Sequence, residues 1–133
     1  DGAGSAVASV HAGWRGTAAG IAALAVRRLG TLGVPAERVV GALGPAVGPC
    51  CYEVGQEVVA ALGGFTRSTG AGRATVDLHA ANARQLTDAG VTPRAIHAAP
   101  WCTRCRNDLF FSVRAEGASA GRLMAVIGRS GQS

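Results

Sequence analysis

Residues 7–20, Val-Ala-Ser-Val-His-Ala-Gly-Trp-Arg-Gly-Thr-Ala-Ala-Gly, constrain the fold of this chain more than any other stretch. A short apolar run reads as a strand, Gly13, Gly16 and Gly20 punctuate a turn, and the residues beyond it begin a helix. Glycine lets backbone approach a ligand closely because no Cβ stands in the way. A helix start after such a turn offers free N–H groups to an anion. His11 adds a metal ligand or proton carrier, and Arg15 a planar fork for phosphate or carboxylate. The same residues also suit a purely structural strand-to-helix turn.

Downstream elements are short and alternate. Apolar spacing predicts a helix from 17 to about 32, with Ile21, Leu24, Ala25 and Leu29 inward, closed by Gly30, Gly33 and Pro35. Residues 38–43 read as a strand, and two Gly-Pro steps then impose a rigid loop. A helix over 56–62 follows, and the polar, glycine-rich stretch 63–75 reads as a flexible surface loop. Asp77 is placed to cap a helix over 78–89 that ends at Gly90, with Leu78, Ala81, Leu86 and Ala89 inward. Residues 94–98 read as a strand, 107–112 lead into a brief helical segment, and 121–128 as a closing strand. Strands alternating with helices define a mixed α/β layered domain.

At 133 residues the chain amounts to one domain, large enough to bury a core. Its opening on Asp1, almost directly before a strand, leads us to expect a piece of a longer chain. No apolar run is long enough to span a bilayer as a helix, and no signal peptide is visible. The net charge of +5 permits an anionic ligand. Its arginines are scattered, with Arg27-Arg28 the one adjacent pair, and none interleave with aromatics as a nucleic-acid face requires.

Several chemistries are excluded by pattern. None of His11, His79 or His97 has a glutamate two residues later, and Trp101 separates Pro100 from Cys102, so the zinc nucleoside deaminase signature is absent. Neither a Walker-type loop nor a dinucleotide fingerprint occurs. His79 reads as a packing or surface residue, and His97 as half-buried in a strand. Cys102-Thr-Arg-Cys105 has zinc-knuckle spacing, but adjacent Cys50 and Cys51 are not the usual second spaced pair. A redox pair would open a helix after a strand. The spacing favours ordinary reduced thiols.

His11-Ala-Gly-Trp-Arg-Gly16 closely resembles the hallmark turn of the YfiH-type laccase-domain proteins, also called the polyphenol oxidase or purine nucleoside phosphorylase family. Further blocks agree in order: 43–55, Asp77-Leu78 with its helix, Cys102-Thr103, Phe110-Phe111-Ser112, and Gly121-Arg122 with the apolar run after it. The resemblance implies an α/β sandwich with mixed sheets flanked by helices, of which this chain covers the C-terminal half. It implies a cytoplasmic zinc enzyme that phosphorolyses adenosine, inosine, guanosine and methylthioadenosine and deaminates adenosine. Purine nucleosides and phosphate are then the partners, without nucleic acid or membrane, and a homodimer is compatible with it. His11 corresponds to the second of two histidines that hold the zinc with a cysteine, the other two ligands being expected upstream of Asp1. One histidine alone holds a catalytic zinc weakly.

The same resemblance assigns Arg15 a catalytic role. Phosphate would meet Arg15, the amides of Gly13 and Gly16, and Arg114 or Arg122, while Trp14 would flank the base or pack in the core. Val113-Arg114-Ala115 stands where the family commonly has Tyr-Arg-Arg, so one arginine is missing, and charged contacts of this kind contribute roughly 1.5–3 kcal/mol. Two alternatives stay open: a copper-dependent phenol oxidase, against which the absence of a His-x-His pair weighs, and an inactive fragment lacking its metal ligands.

Overall fold

The computed structural model describes residues 4–129. Its fold class is the expected mixed α/β. Five α-helices and five short strands alternate with four turns of 3-10 helix among the described residues. None of these helices is long and apolar enough to cross a membrane. The chain forms two compact units. Unit one takes in the residues up to Leu43, Asn82–His97 and those from Ala125 onward, and unit two takes in Gly44–Ala81 and Ala98–Met124.

In unit one the expected first helix is two. Helix α1 (Trp14–Ala18) stops after a single turn, and α2 (Ile21–Thr31) restarts behind Gly20, whose φ of 75° lies in the left-handed region that glycine tolerates best. The restart resets the helical phase. Ala22, Val26 and Leu29 face inward at i, i+4 and i+7, whereas Leu24, expected inside, is 50% exposed. Val26 and Leu29 pack with Val34, Val39, Leu86 and Val91 into one apolar cluster. Its edge is a two-stranded sheet of β1 (Gly41–Leu43) and β5 (Ile96–Ala98). Short 3-10 turns occupy residues 36–38 and 93–95, so both strands begin later than their apolar runs predict.

Residues 7–10 and 121–128 were expected as strands, and neither is one. A strand exists through its ladder, and among the described residues neither stretch has a ladder partner. The apolar side chains are left outside, with Met124 87% and Val126 78% exposed.

Unit two contains a three-stranded antiparallel sheet in the order β2-β4-β3. β2 (Glu53–Val54) pairs with β4 (Arg73–Val76) in the register Glu53↔Thr75 and Val54↔Ala74, and β3 (Thr66–Gly70) pairs on the other side of β4 with Thr66↔Val76. Residues 63–75, expected as a flexible loop, are therefore mostly a hairpin. Ala71 and Gly72, both at positive φ, make the tight turn that a two-residue hairpin loop needs. Val54, Ala74 and Val76 alternate onto the buried face, where Val58 and Leu62 of α3 (Gln56–Leu62) are also buried. Helix α3 has the expected bounds. Helix α4 (Leu78–Asp88) starts as predicted, with the Ala80 N–H donating to the Asp77 carboxylate at 2.9 Å.

Thr17, 1% exposed, ties the Asn82–Asp88 part of α4, which belongs to unit one, to the opening turn. Its hydroxyl donates to the Ala12 carbonyl (3.2 Å) and accepts from the Asn82 side-chain amide (3.0 Å), while its own carbonyl accepts from Gln85 (2.6 Å). Thr17→Val keeps the shape and removes the hydroxyl. We expect it to destabilise the chain by about 1–3 kcal/mol, the range for depriving buried groups of their partner. Urea denaturation measures this, and an unchanged midpoint would show that the hydroxyl holds nothing.

Candidate functional site

The turn over 11–16 lies entirely in unit one. The backbone from Gly13 enters α1 through a Thr17 N–H to Gly13 carbonyl bond of 2.8 Å, and Ala19 N–H closes on the Arg15 carbonyl. His11 is exposed, and its imidazole folds back over the turn. A Cβ placed on Gly13 would lie 3.1 Å from His11 Nε2, so the missing side chain at Gly13 is what gives the ring its place. Arg15 is exposed, with its guanidinium stacked 4.4 Å from the centre of the Trp14 ring. The stacking presents the planar fork on a preformed support, and it gives half-buried Trp14 a role in holding Arg15. With only one turn of helix behind it, the site draws little from a helix dipole.

Arg114 and Arg122 belong to unit two. Arg114 lies over the Tyr52 ring at 4.8 Å and donates to the Glu53 carbonyl at 2.9 Å. Arg122 turns back on its own backbone and donates to the Ala120 and Gly121 carbonyls. Each has guanidinium donors beyond those contacts. His79 is half-buried and bonds the Gly44 carbonyl at 2.8 Å, as a packing residue does. His97, expected half-buried, is exposed because the two-stranded sheet that carries it is narrow. A hollow of about 470 Å³ in unit two, whose lining includes Pro49, Cys50, Phe65, Arg67 and Asp77, holds none of the predicted site residues.

The largest departure from the sequence reading concerns the cysteines. All four are free thiols, and their sulfurs lie within 4.8 Å of one another. The free thiols agree with the reduced state expected from the spacing, whereas their grouping does not follow from it, since adjacent Cys50 and Cys51 are not the usual second spaced pair. Among the described residues it is the one group of three or more His, Cys, Asp or Glu side chains close enough to share a metal, and His11 is not in it. His11 therefore supplies one donor, and the described residues do not complete a catalytic metal shell beside it.

Charge is unevenly shared in the cluster. Loss of hydration pushes the Cys50 thiol up to about 12, helped by hydrogen bonds with Cys102, Cys105 and Cys51. At Cys102 the same loss of hydration is outweighed by the backbone N–H groups of Gly48, Cys105 and Arg104 and by Cys50, which bring it down to about 6. Cys105 is raised, chiefly by its bond with Cys51. Of these three, Cys102 ionises most readily, while lost hydration at Cys50 and the bond with Cys51 at Cys105 hold those two protonated.

Glu116 organises the segment that carries Arg114. Its carboxylate accepts from the Ser112 N–H at 2.9 Å and from the Asn107 side chain, and those two donors, the backbone one first, hold it below the usual carboxylate range. A depressed folded-state value means the bond contributes fully above the unfolded glutamate pKa and is lost as pH falls through the lower folded one. We expect the Ser112 amide to lose hydrogen-exchange protection across that acidic window, and Glu116→Gln to flatten the dependence. A pH-independent Ser112 amide in the native chain would contradict this.

Comparison with known proteins gives this geometry a context. The family described as multi-copper polyphenol oxidoreductase laccase matches residues 1–130. A protein named purine nucleoside phosphorylase YlmD, from Geobacillus stearothermophilus, is 41% identical over 132 residues, covering 92% of this chain and 48% of that protein. One named adenosine deaminase RL5, from an unknown prokaryotic organism, is 38% identical over 92% of this chain and 50% of its own length. The crystal structure of YlmD from Geobacillus stearothermophilus superimposes with a TM-score of 0.80 at 40% identity, covering 84% of this chain and 45% of that one. That of the Bacillus licheniformis YfiH protein gives 0.77 at 32% identity, over 81% of this chain and 44% of its own. The chain thus spans about half the length of the curated relatives it matches. On this match over nearly all its residues, the chain belongs to the multi-copper polyphenol oxidoreductase laccase family, the YfiH-type group that its motifs resemble.

Proposed function

We propose that this chain contributes the nucleoside-reacting turn of a zinc-dependent purine nucleoside phosphorylase. Its substrates are adenosine, inosine, guanosine and methylthioadenosine, and adenosine deamination is a second activity. The observation that carries this reading is the turn itself: His11 unpartnered among the described residues and folded over Gly13, beside an Arg15 fork stacked on Trp14. The names of the relatives support the same reading.

Phosphorolysis needs a phosphate oxygen set against the ribose C1′. The C1′–O bond forms as the C1′–N9 bond breaks, and the purine leaves with the electron pair and takes up a proton. In this reading Arg15 holds the phosphate by charge-assisted hydrogen bonds, with local backbone amides adding further donors. In this reading Trp14 supports the guanidinium through the stacking contact. In this proposal His11 is one metal ligand, and its partners come from the part of the relatives' length that this chain does not span. Zinc, when bound, supplies Lewis-acid and water-activating chemistry.

The family description favours a second reading, copper-dependent phenol oxidation. Both are tested in a protein of the relatives' full length carrying this sequence, assayed for each reaction with defined zinc or copper loading. Phosphate-dependent base release from inosine under zinc supports the first, and phenol oxidation under copper without it supports the second. Arg15→Gln is expected to raise the KM for phosphate roughly ten- to hundred-fold, as loss of a charged hydrogen bond does. An unchanged KM removes Arg15 from phosphate binding.

A further inference from the structure

The four cysteines come from two loops of unit two that are far apart in sequence. Cys50 and Cys51 sit in a tight turn where the Cys51 and Tyr52 N–H groups both donate to the Gly48 carbonyl at 2.9 Å. That turn is what lets adjacent residues send both sulfurs to the same place. Cys102 is locked beside it by a parallel bridge to Ala46 and by the Thr103 N–H to Ala46 carbonyl bond of 2.9 Å. Cys105 follows in the next turn, its sulfur 3.7 Å from that of Cys50 and 3.5 Å from that of Cys51.

These distances discriminate between fates. A disulfide needs sulfurs about 2.05 Å apart. Four thiolates about 2.3 Å from a tetrahedral zinc stand about 3.8 Å apart; the two Cys105 separations, 3.7 and 3.5 Å, are close to that, and all four sulfurs lie within 4.8 Å of one another. The surroundings also fit bound thiolate. The Gly48 N–H donates to Cys102 Sγ at 3.2 Å, the kind of outer contact that orients a metal-bound sulfur. A Cβ on Gly48 would lie 3.2 Å from the Cys102 Cβ and 3.5 Å from the Cys50 sulfur, so this position has room only for glycine without displacing a ligand.

We propose that Cys50, Cys51, Cys102 and Cys105 form a four-thiolate zinc site that fastens the 44–52 loop to the 101–106 loop. Soft sulfur donors in a closed tetrahedron select zinc over the harder cations, and the absence of an open position makes the site structural. It uses none of the residues assigned to nucleoside chemistry, so its success or failure is separable from that reading. Metal loading would stiffen two loops that the isolated bridge at Ala46 already brings together.

The test uses the full 133-residue chain, reduced and stripped with chelator, with Co²⁺ as the probe. We expect one Co²⁺ per chain, a sulfur-to-cobalt charge-transfer band, the intense visible bands of a tetrahedral thiolate, and displacement by Zn²⁺. Cys102→Ser and Cys105→Ser should weaken that charge-transfer band, whereas His11→Ala should leave it intact. Gly48→Ala, which keeps all four sulfurs, should lower affinity about 10–100-fold with the circular dichroism unchanged. After zinc loading the four thiols should cease to react with an aromatic disulfide reagent. The proposal is overturned if the native chain shows no charge-transfer band or if the band is undiminished in Cys102→Ser. It fails equally if loss of His11 abolishes the band, if fewer than four thiols titrate in the stripped, unfolded chain before reduction, or if metal analysis of the purified chain finds iron with sulfide instead of zinc.

Discussion

The buried hydroxyl of Thr17 is the point on which the turn over 11–16 depends. A one-turn helix such as α1 has almost no stability of its own, since nucleation fixes several residues for a single hydrogen bond. Three bonds at Thr17, to Ala12 and from Asn82 and Gln85, fix it to α4 instead. Helix α4 is in turn started by the Asp77 cap and held to the apolar cluster by Leu86. The orientation of His11 and Arg15 thus descends from a capped helix more than sixty residues downstream. Local bonding in the turn alone would not hold it.

That dependence explains what could be read from the sequence and what could not. Helix α3 and the Asp77 cap were legible because each is decided by residues a few positions apart. The motif at 11–16 was legible for the same reason. The phase of α2 was not, because Gly20 interrupts what looks like one apolar stripe and the restarted helix turns Ala22, Val26 and Leu29 inward in place of Leu24. The hairpin of β3 and β4 was hidden by polar composition, although Gly70-Ala71-Gly72 before Ala74 and Val76 carries a turn and a period-two signal. Residues 7–10 and 121–128 have strand composition, but a strand requires a ladder partner that no run of residues specifies by itself.

The cysteines are reduced, as expected, but their grouping is hidden on the same ground. Sequence spacing is a proxy for spatial spacing, and a Cys-Cys pair lacks the two-residue gap of a knuckle. The turn at Gly48 replaces that gap with backbone geometry, and the bridge from Ala46 to Cys102 brings the second pair to it. A Cys-Cys beside a Gly-Pro step, with a Cys-x-x-Cys elsewhere in the chain, was the available signal. In the two units, then, chemistry-bearing residues rest on different supports: a hydrogen-bonded threonine beneath the His11 turn, and two irregular loops beneath the sulfurs.

The central claim is that the turn over 11–16 reacts with nucleoside and phosphate once the rest of the protein is present. Its most direct test combines this chain with the half of Geobacillus YlmD that it does not match, in zinc, and measures hypoxanthine and ribose 1-phosphate formed from inosine. The account predicts phosphate-dependent products from the combination, none from either half alone, and none when His11 is replaced by alanine. A folded, zinc-loaded combination without product, or one whose rate is unchanged by loss of His11, would contradict it.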